Sequence, residues 1–104
     1  MLSEVEVDFT CGEPCRSVLE ARILAITDYP AIPALLKKGH VGGPDSAWYV
    51  GLYDKRLVDG GALEGLIVKG SGIKFLLPQP WLIEDLHGKE LVWVDEKFAV
   101  QTRG

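Results

Sequence analysis

From Trp48 to the C terminus, short apolar runs alternate with turns made of Gly, Asp and Lys, a rhythm that predicts a β-meander. The expected strands are Ala47 to Tyr53, Ala62 to Val68, Ile73 to Leu77, Leu82 to Leu86, Glu90 to Val94 and Phe98 to Thr102. Lys69-Gly70-Ser71-Gly72, His87-Gly88 and Asp95-Glu96-Lys97 supply tight turns between them. Pro78 and Pro80 cannot donate to a central ladder, so they mark a sheet corner. A short helix from Pro80 is the alternative there, because Trp81, Leu82, Asp85 and Leu86 have helical spacing and Gly88 can terminate it.

Upstream, Val5, Val7 and Phe9 alternate with Glu4, Glu6 and Asp8, the period of one strand with a buried and a wet face. Residues 18–27 admit two readings. Ser17 with Glu20 fits a helix capping box, and Leu19, Ala21, Arg22 and Leu24 are good helix formers. Val18, Ile23, Ile26 and Thr27 are β-branched, however, and the alternation suits a strand paired back on the first; the strand is preferred. Pro33 followed by Ala34-Leu35-Leu36-Lys37-Lys38 and Gly39 predicts a short helix, with proline in its first turn, lysines in its last and glycine at its exit. Gly39 to Ser46, with paired glycines and a Pro-Asp step, is a loop and the natural place for a lid or partner contact.

These elements define a mainly β fold: a small antiparallel barrel or roll of six to seven strands, with one short helix near 33–38. Closing the sheet removes bare strand edges. The alternative is α+β, with a helix at 18–27 packed on an antiparallel sheet. The 104 residues suit a single compact domain, which at this size buries roughly two thirds of the surface its unfolded chain exposes. With 47% hydrophobic and 25% charged residues the composition is that of a folded domain, not of a disordered chain.

Charge narrows the partners. A net charge of −4 argues against nucleic acid, whose phosphates are bound by clustered Lys and Arg. The adjacent pairs Lys37-Lys38 and Lys55-Arg56 are expected to be solvated surface. The apolar runs fall far short of the roughly twenty residues of a membrane helix, and Met-Leu-Ser-Glu leads into a strand without the basic and apolar regions of a secretory signal. No membrane association and a cytoplasmic location are therefore expected.

Candidate chemistry is thin. Cys11 and Cys15 are spaced for neither a thioredoxin-type pair nor the two close pairs of a zinc ribbon, and buried idle thiols are the expected state. His40, Asp45 and Ser46 supply the residue types of a triad within one loop, but triads are defined in space, and Gly-Gly-Pro-Asp-Ser is turn chemistry. Neither glycine-rich segment has the lysine and helix start of a phosphate loop. No catalytic residue, metal site or cofactor is expected.

The remaining signal is aromatic. Trp48, Tyr49, Tyr53, Trp81, Trp93 and Phe98 all lie in the C-terminal half, and large amphipathic rings serve both β-cores and binding surfaces. Adjacent Trp48 and Tyr49 face opposite sides of a strand, so one of them is available to a ligand or partner. The expected binding surface comprises Trp48, Tyr49, Tyr53, Trp81 and His40. The sequence thus points to a small binding or protein-interaction module taking a protein or small-molecule partner. A homo-oligomeric assembly subunit, such as a homodimer, and a small enzyme using His40 or a cysteine are the alternatives.

Overall fold

The computed structural model describes residues 3–39, 42–61 and 63–103. The N-terminal alternation forms two strands in place of one. β1 (Glu4–Glu6) and β2 (Phe9–Cys11) are separated by a tight turn in which the Phe9 N–H donates to the Val7 carbonyl at 2.9 Å. This kink carries the chain from one sheet into another. β1 belongs to a five-stranded sheet ordered β1-β5-β6-β3-β4, and β2 to a three-stranded sheet ordered β2-β7-β8. The remaining strands are β3 (Ala31–Lys37), β4 (Trp48–Asp54), β5 (Leu66–Gly70), β6 (Ile73–Leu77), β7 (Lys89–Val94) and β8 (Lys97–Thr102).

The mainly β expectation holds, with eight strands among the described residues. Both sheets are mixed, not antiparallel: β1 with β5, β2 with β7 and β3 with β6 run parallel. Alternation specifies which face a residue takes but not strand direction, so the sequence could not separate these cases. The barrel does not close. β4 and β8 lie side by side, yet no backbone hydrogen bond joins them among the described residues.

Two elements change type. Residues 18–27 lie largely within helix α1 (Cys15–Ala25), so the α+β alternative fits and the preferred strand is corrected. Cys15, Leu19 and Ile23 recur every fourth residue and face the core, which decides the matter over β-branching at 18, 23 and 26. The anticipated capping box is absent: Ser17 Oγ donates to Glu13 Oε2 at 2.5 Å, and Pro14 stands at the cap position.

The short helix expected at 33–38 is instead β3. Ile32 to Leu35 are all buried because both faces of this strand are covered, and a short apolar run of that kind has no period to distinguish it from a helix. Pro33 is tolerated because β3 bridges β6 at Ala34–Leu76 alone, leaving few ladder bonds on that side to lose. The Leu82–Leu86 strand is likewise replaced by a 3₁₀ helix, Pro80–Leu86, which starts at the proline as the alternative reading required. The strand expected at Ala62 begins only at Leu66.

The main core lies between the sheets. Leu35, Val68, Phe75 and Leu77 from the larger sheet meet Phe9, Leu91 and Val100 from the smaller, with Leu19, Leu82 and Leu86 closing the ends. Phe9 stands edge-on to Phe75, 5.6 Å between ring centres. The outer face of the larger sheet carries a second cluster, Ile32, Ala34 and Leu76, covered by Val58 of the short helix α2 (Lys55–Asp59). No described helix is long and apolar enough to cross a membrane.

Candidate functional site

Strand alternation in β4 decides the fate of the expected aromatic surface. Trp48 pairs with Lys37 and turns into the core, where it is 4% exposed, whereas Tyr49 turns outward and is 43% exposed. Tyr53 packs against the outer cluster of Ile32, Ala34 and Leu76. Trp81 projects from the 3₁₀ helix at 60% exposure, while its neighbour Leu82 is buried. His40 lies outside the described residues. Trp48 thus turns away from the expected surface, while Tyr49 and Tyr53 keep the same face of β4, the Tyr53 ring lying over Gly51.

Tyr49 does gain aromatic company across the unclosed seam between β4 and β8. There a groove of about 250 Å³ is lined by Arg22, Tyr49, Trp93, Glu96, Lys97 and Phe98. Trp93 and Phe98 are cross-strand partners in the β7–β8 hairpin, edge-on at 4.9 Å. Arg22, from the last turn of α1, lies over both rings, 5.1 Å from Trp93 and 5.7 Å from Phe98. Lys38 lies 5.7 Å from the Tyr49 ring. Three basic side chains against one acidic residue give this groove a local positive bias on a chain whose net charge is −4. The aromatic-rich C-terminal half was visible in the sequence; Arg22 was not, since only the packing of α1 brings it over the hairpin.

A second polar constellation sits at the end of β3. Lys37 is 3% exposed, which corrects the expectation of a solvated lysine pair. Its Nζ donates to the Gly43 carbonyl at 2.9 Å and to Asp85 Oδ2 at 3.0 Å, and lies 5.4 Å from the Trp48 ring. The Lys37 backbone is completed by Gln79, whose side-chain amide accepts from its N–H at 3.0 Å and donates to its carbonyl at 3.2 Å, in the manner of a strand neighbour. Asp85 also accepts from the Gly42 N–H at 3.1 Å. Desolvation pushes the Asp85 carboxyl upward, but the Gly42 hydrogen bond, Lys37 and the charge of Lys89 together outweigh it and hold the group below its ordinary value.

Beside it, Lys89 bonds Asp45 at 3.0 Å and Thr102 at 2.9 Å. These groups border a cleft of about 300 Å³ reached also by Glu84 and His87. The lysine amines there are engaged by acceptors, so the arrangement ties loop 42–45 to the 3₁₀ helix and to β8; it is not built as a nucleophile. Lys37 was missed because its partner Asp85 is 48 residues away. Of the triad types in the loop, His40 lies outside the described residues, and the Asp45 carboxylate accepts from Lys89 and Thr102.

Among the described residues, no group of three or more His, Cys, Asp or Glu side chains is arranged to hold a metal ion. Comparison with protein-family models, with curated proteins and with solved structures finds no match to this chain.

Proposed function

We propose that this chain is a protein-interaction module that takes an acidic peptide segment bearing an aromatic anchor into the groove at the β4–β8 seam. The observation that carries this reading is the Arg22–Trp93–Phe98 stack facing Tyr49 across an unpaired strand edge. Aromatic side chains and arginine are the residue types that contribute most at protein interfaces, and a ring entering this groove meets apolar faces on both walls. Arg22, Lys38 and Lys97 supply charge complementarity to a partner's carboxylates, which steers association and selects against basic segments. The free edge of β4 adds backbone donors and acceptors on which an extended peptide can align.

The probe is a short synthetic peptide of aspartates flanking a central tryptophan, titrated into isotopically labelled protein and followed by NMR. Saturable shifts at the Trp93 indole N–H, Arg22 Nε–H and the Tyr49 backbone are expected, weakening with added salt. Reversing the charges with Arg22→Glu and Lys97→Glu is expected to abolish them. Equal binding of a lysine-flanked peptide, or no saturable shift, refutes the reading.

The unpaired edge of β4 also favours self-association as a second reading, because exposed edges pair readily with a second copy. Sedimentation velocity across a concentration series separates the two, since only a homodimer changes mass with concentration.

A further inference from the structure

Cys11 ends β2 and Cys15 begins α1, and their sulfurs lie 3.5 Å apart in hydrogen-bond contact. Both are free thiols and both are buried. The intervening Gly12-Glu13-Pro14 turn is exposed, so the pair lies beneath a surface loop at the margin of the core. The site is held from both ends by the β5–β6 hairpin. The Cys11 N–H donates to Ser71 Oγ at 2.9 Å, and Arg16 Nη1 donates to the Ser71 carbonyl at 2.6 Å. The first turn of α1 is completed by the Arg16 N–H donating to the Gly12 carbonyl at 2.9 Å. Cys15, the contact partner of Cys11, also lines a groove of about 250 Å³ formed by the turn and residues 90–94 of β7, so the pair borders open space on the Cys15 side.

We propose that Cys11 and Cys15 form a peroxide-reactive dithiol that closes into an intramolecular disulfide. This modification site adjoins the seam groove at Trp93 but does not depend on the interaction proposed there. The Cys11 thiolate attacks one oxygen of hydrogen peroxide; the O–O bond breaks, a Cys11 sulfenic acid forms, and the departing hydroxide takes a proton to leave as water. The Cys15 sulfur then attacks the Cys11 sulfur; an S–S bond forms as the S–O bond of the sulfenic acid breaks, and the hydroxide so released takes the Cys15 proton and leaves as the second water. Two thiols and one peroxide thus become one disulfide and two waters.

To bond, the sulfurs must move from contact at 3.5 Å to a separation of about 2 Å. The environment divides the roles. The hydrogen bond with Cys15 lowers the Cys11 thiol from its ordinary value against the opposing effect of burial, with Arg16 assisting. The same contact, reinforced by burial, pushes the Cys15 thiol upward.

The test compares prereduced native protein with the same protein in denaturant. Each is exposed to hydrogen peroxide, quenched with catalase, unfolded, and alkylated for intact-mass measurement. The native protein is expected to lose the mass of two hydrogens, to resist alkylation at both cysteines, and to regain both sites after dithiothreitol. It should do so several-fold faster than the unfolded chain, in which nothing holds the sulfurs together. In native Cys15→Ser protein, a Cys11 sulfenic acid should be trapped by dimedone. Native protein that remains fully alkylatable, gains oxygen without losing two hydrogens, links two chains, or reacts no faster than the unfolded chain overturns the proposal. The wild-type comparison stands even if the serine variant fails to fold.

Discussion

Lys37 is held in the fold by the partners around its amine. A buried ammonium stripped of its carboxylate costs more than the pair contributes, because desolvation remains after the attraction is gone. Asp85→Asn leaves Lys37, 3% exposed, without its counter-charge and with only neutral acceptors such as the Gly43 carbonyl. A loss of about 3–5 kcal/mol in urea unfolding is expected. Lys37→Met removes the buried charge itself and leaves Asp85, whose side chain is 16% exposed and still accepts from Gly42, so its cost should be smaller. An equal or larger cost for Lys37→Met rejects this account. Acid acts on the same pair. The Asp85 carboxyl lies below its unfolded value, so the unfolded chain takes up the proton first and stability is lost as pH falls. The urea midpoint should therefore drop as the pH falls below about 4, with a shallower fall in Asp85→Asn.

At the scale of elements, the join between β1 and β2 depends on close approach. Gly70, at the end of β5, lies directly against the segment where β2 begins: a methyl group there would be 2.6 Å from the Phe9 carbonyl oxygen and 2.8 Å from its ring. Phe9 cannot yield easily, because its ring is wedged on Phe75 in the core. Gly70→Ala is accordingly expected to lower stability by about 1–3 kcal/mol through overpacking. Gly12→Ala is the control, since nothing lies within 4 Å of a methyl at Gly12. It should change stability by no more than about 0.5 kcal/mol. Thermal denaturation of the two variants measures the contrast, and equal effects would rule out the packing argument.

Across the whole molecule, the two sheets share one core but are joined unequally on their two sides. The kinked β1–β2 segment connects them covalently on one side, while β4 and β8 on the other approach without a ladder. The radius of gyration, 12.9 Å, matches that of a compact domain of this length, so the seam is a local gap in an otherwise close-packed body. Hydrogen exchange should reproduce this asymmetry. Amides in β5 and β6, paired on both sides, are expected to exchange slowest, and those along the outer edges of β4 and β8 fastest. If the β4 edge is as protected as β6, the seam is closed in solution.

The alternation of apolar and polar residues by itself determined that this chain is mainly β, and it located β4, β6, β7 and β8 to within a residue or two, because short apolar runs there are bounded by Gly, Pro and charged residues. It also determined that Trp48 and Tyr49 part company, since neighbouring residues in a strand must face opposite ways. Tertiary structure alone decided the rest. Local propensity left 18–27 balanced between strand and helix, and burial of Cys15, Leu19 and Ile23 against the sheets tipped it. Pro33 and the lysines that follow resemble a helix until β4 and β6 pair with the run at its edges and the inter-sheet core and Val58 cover its two faces. Strand direction, the partnership of Lys37 with Asp85, and the placing of Arg22 over Trp93 and Phe98 are contacts between residues far apart in the chain. No local pattern records them, because they are fixed by how the elements pack together.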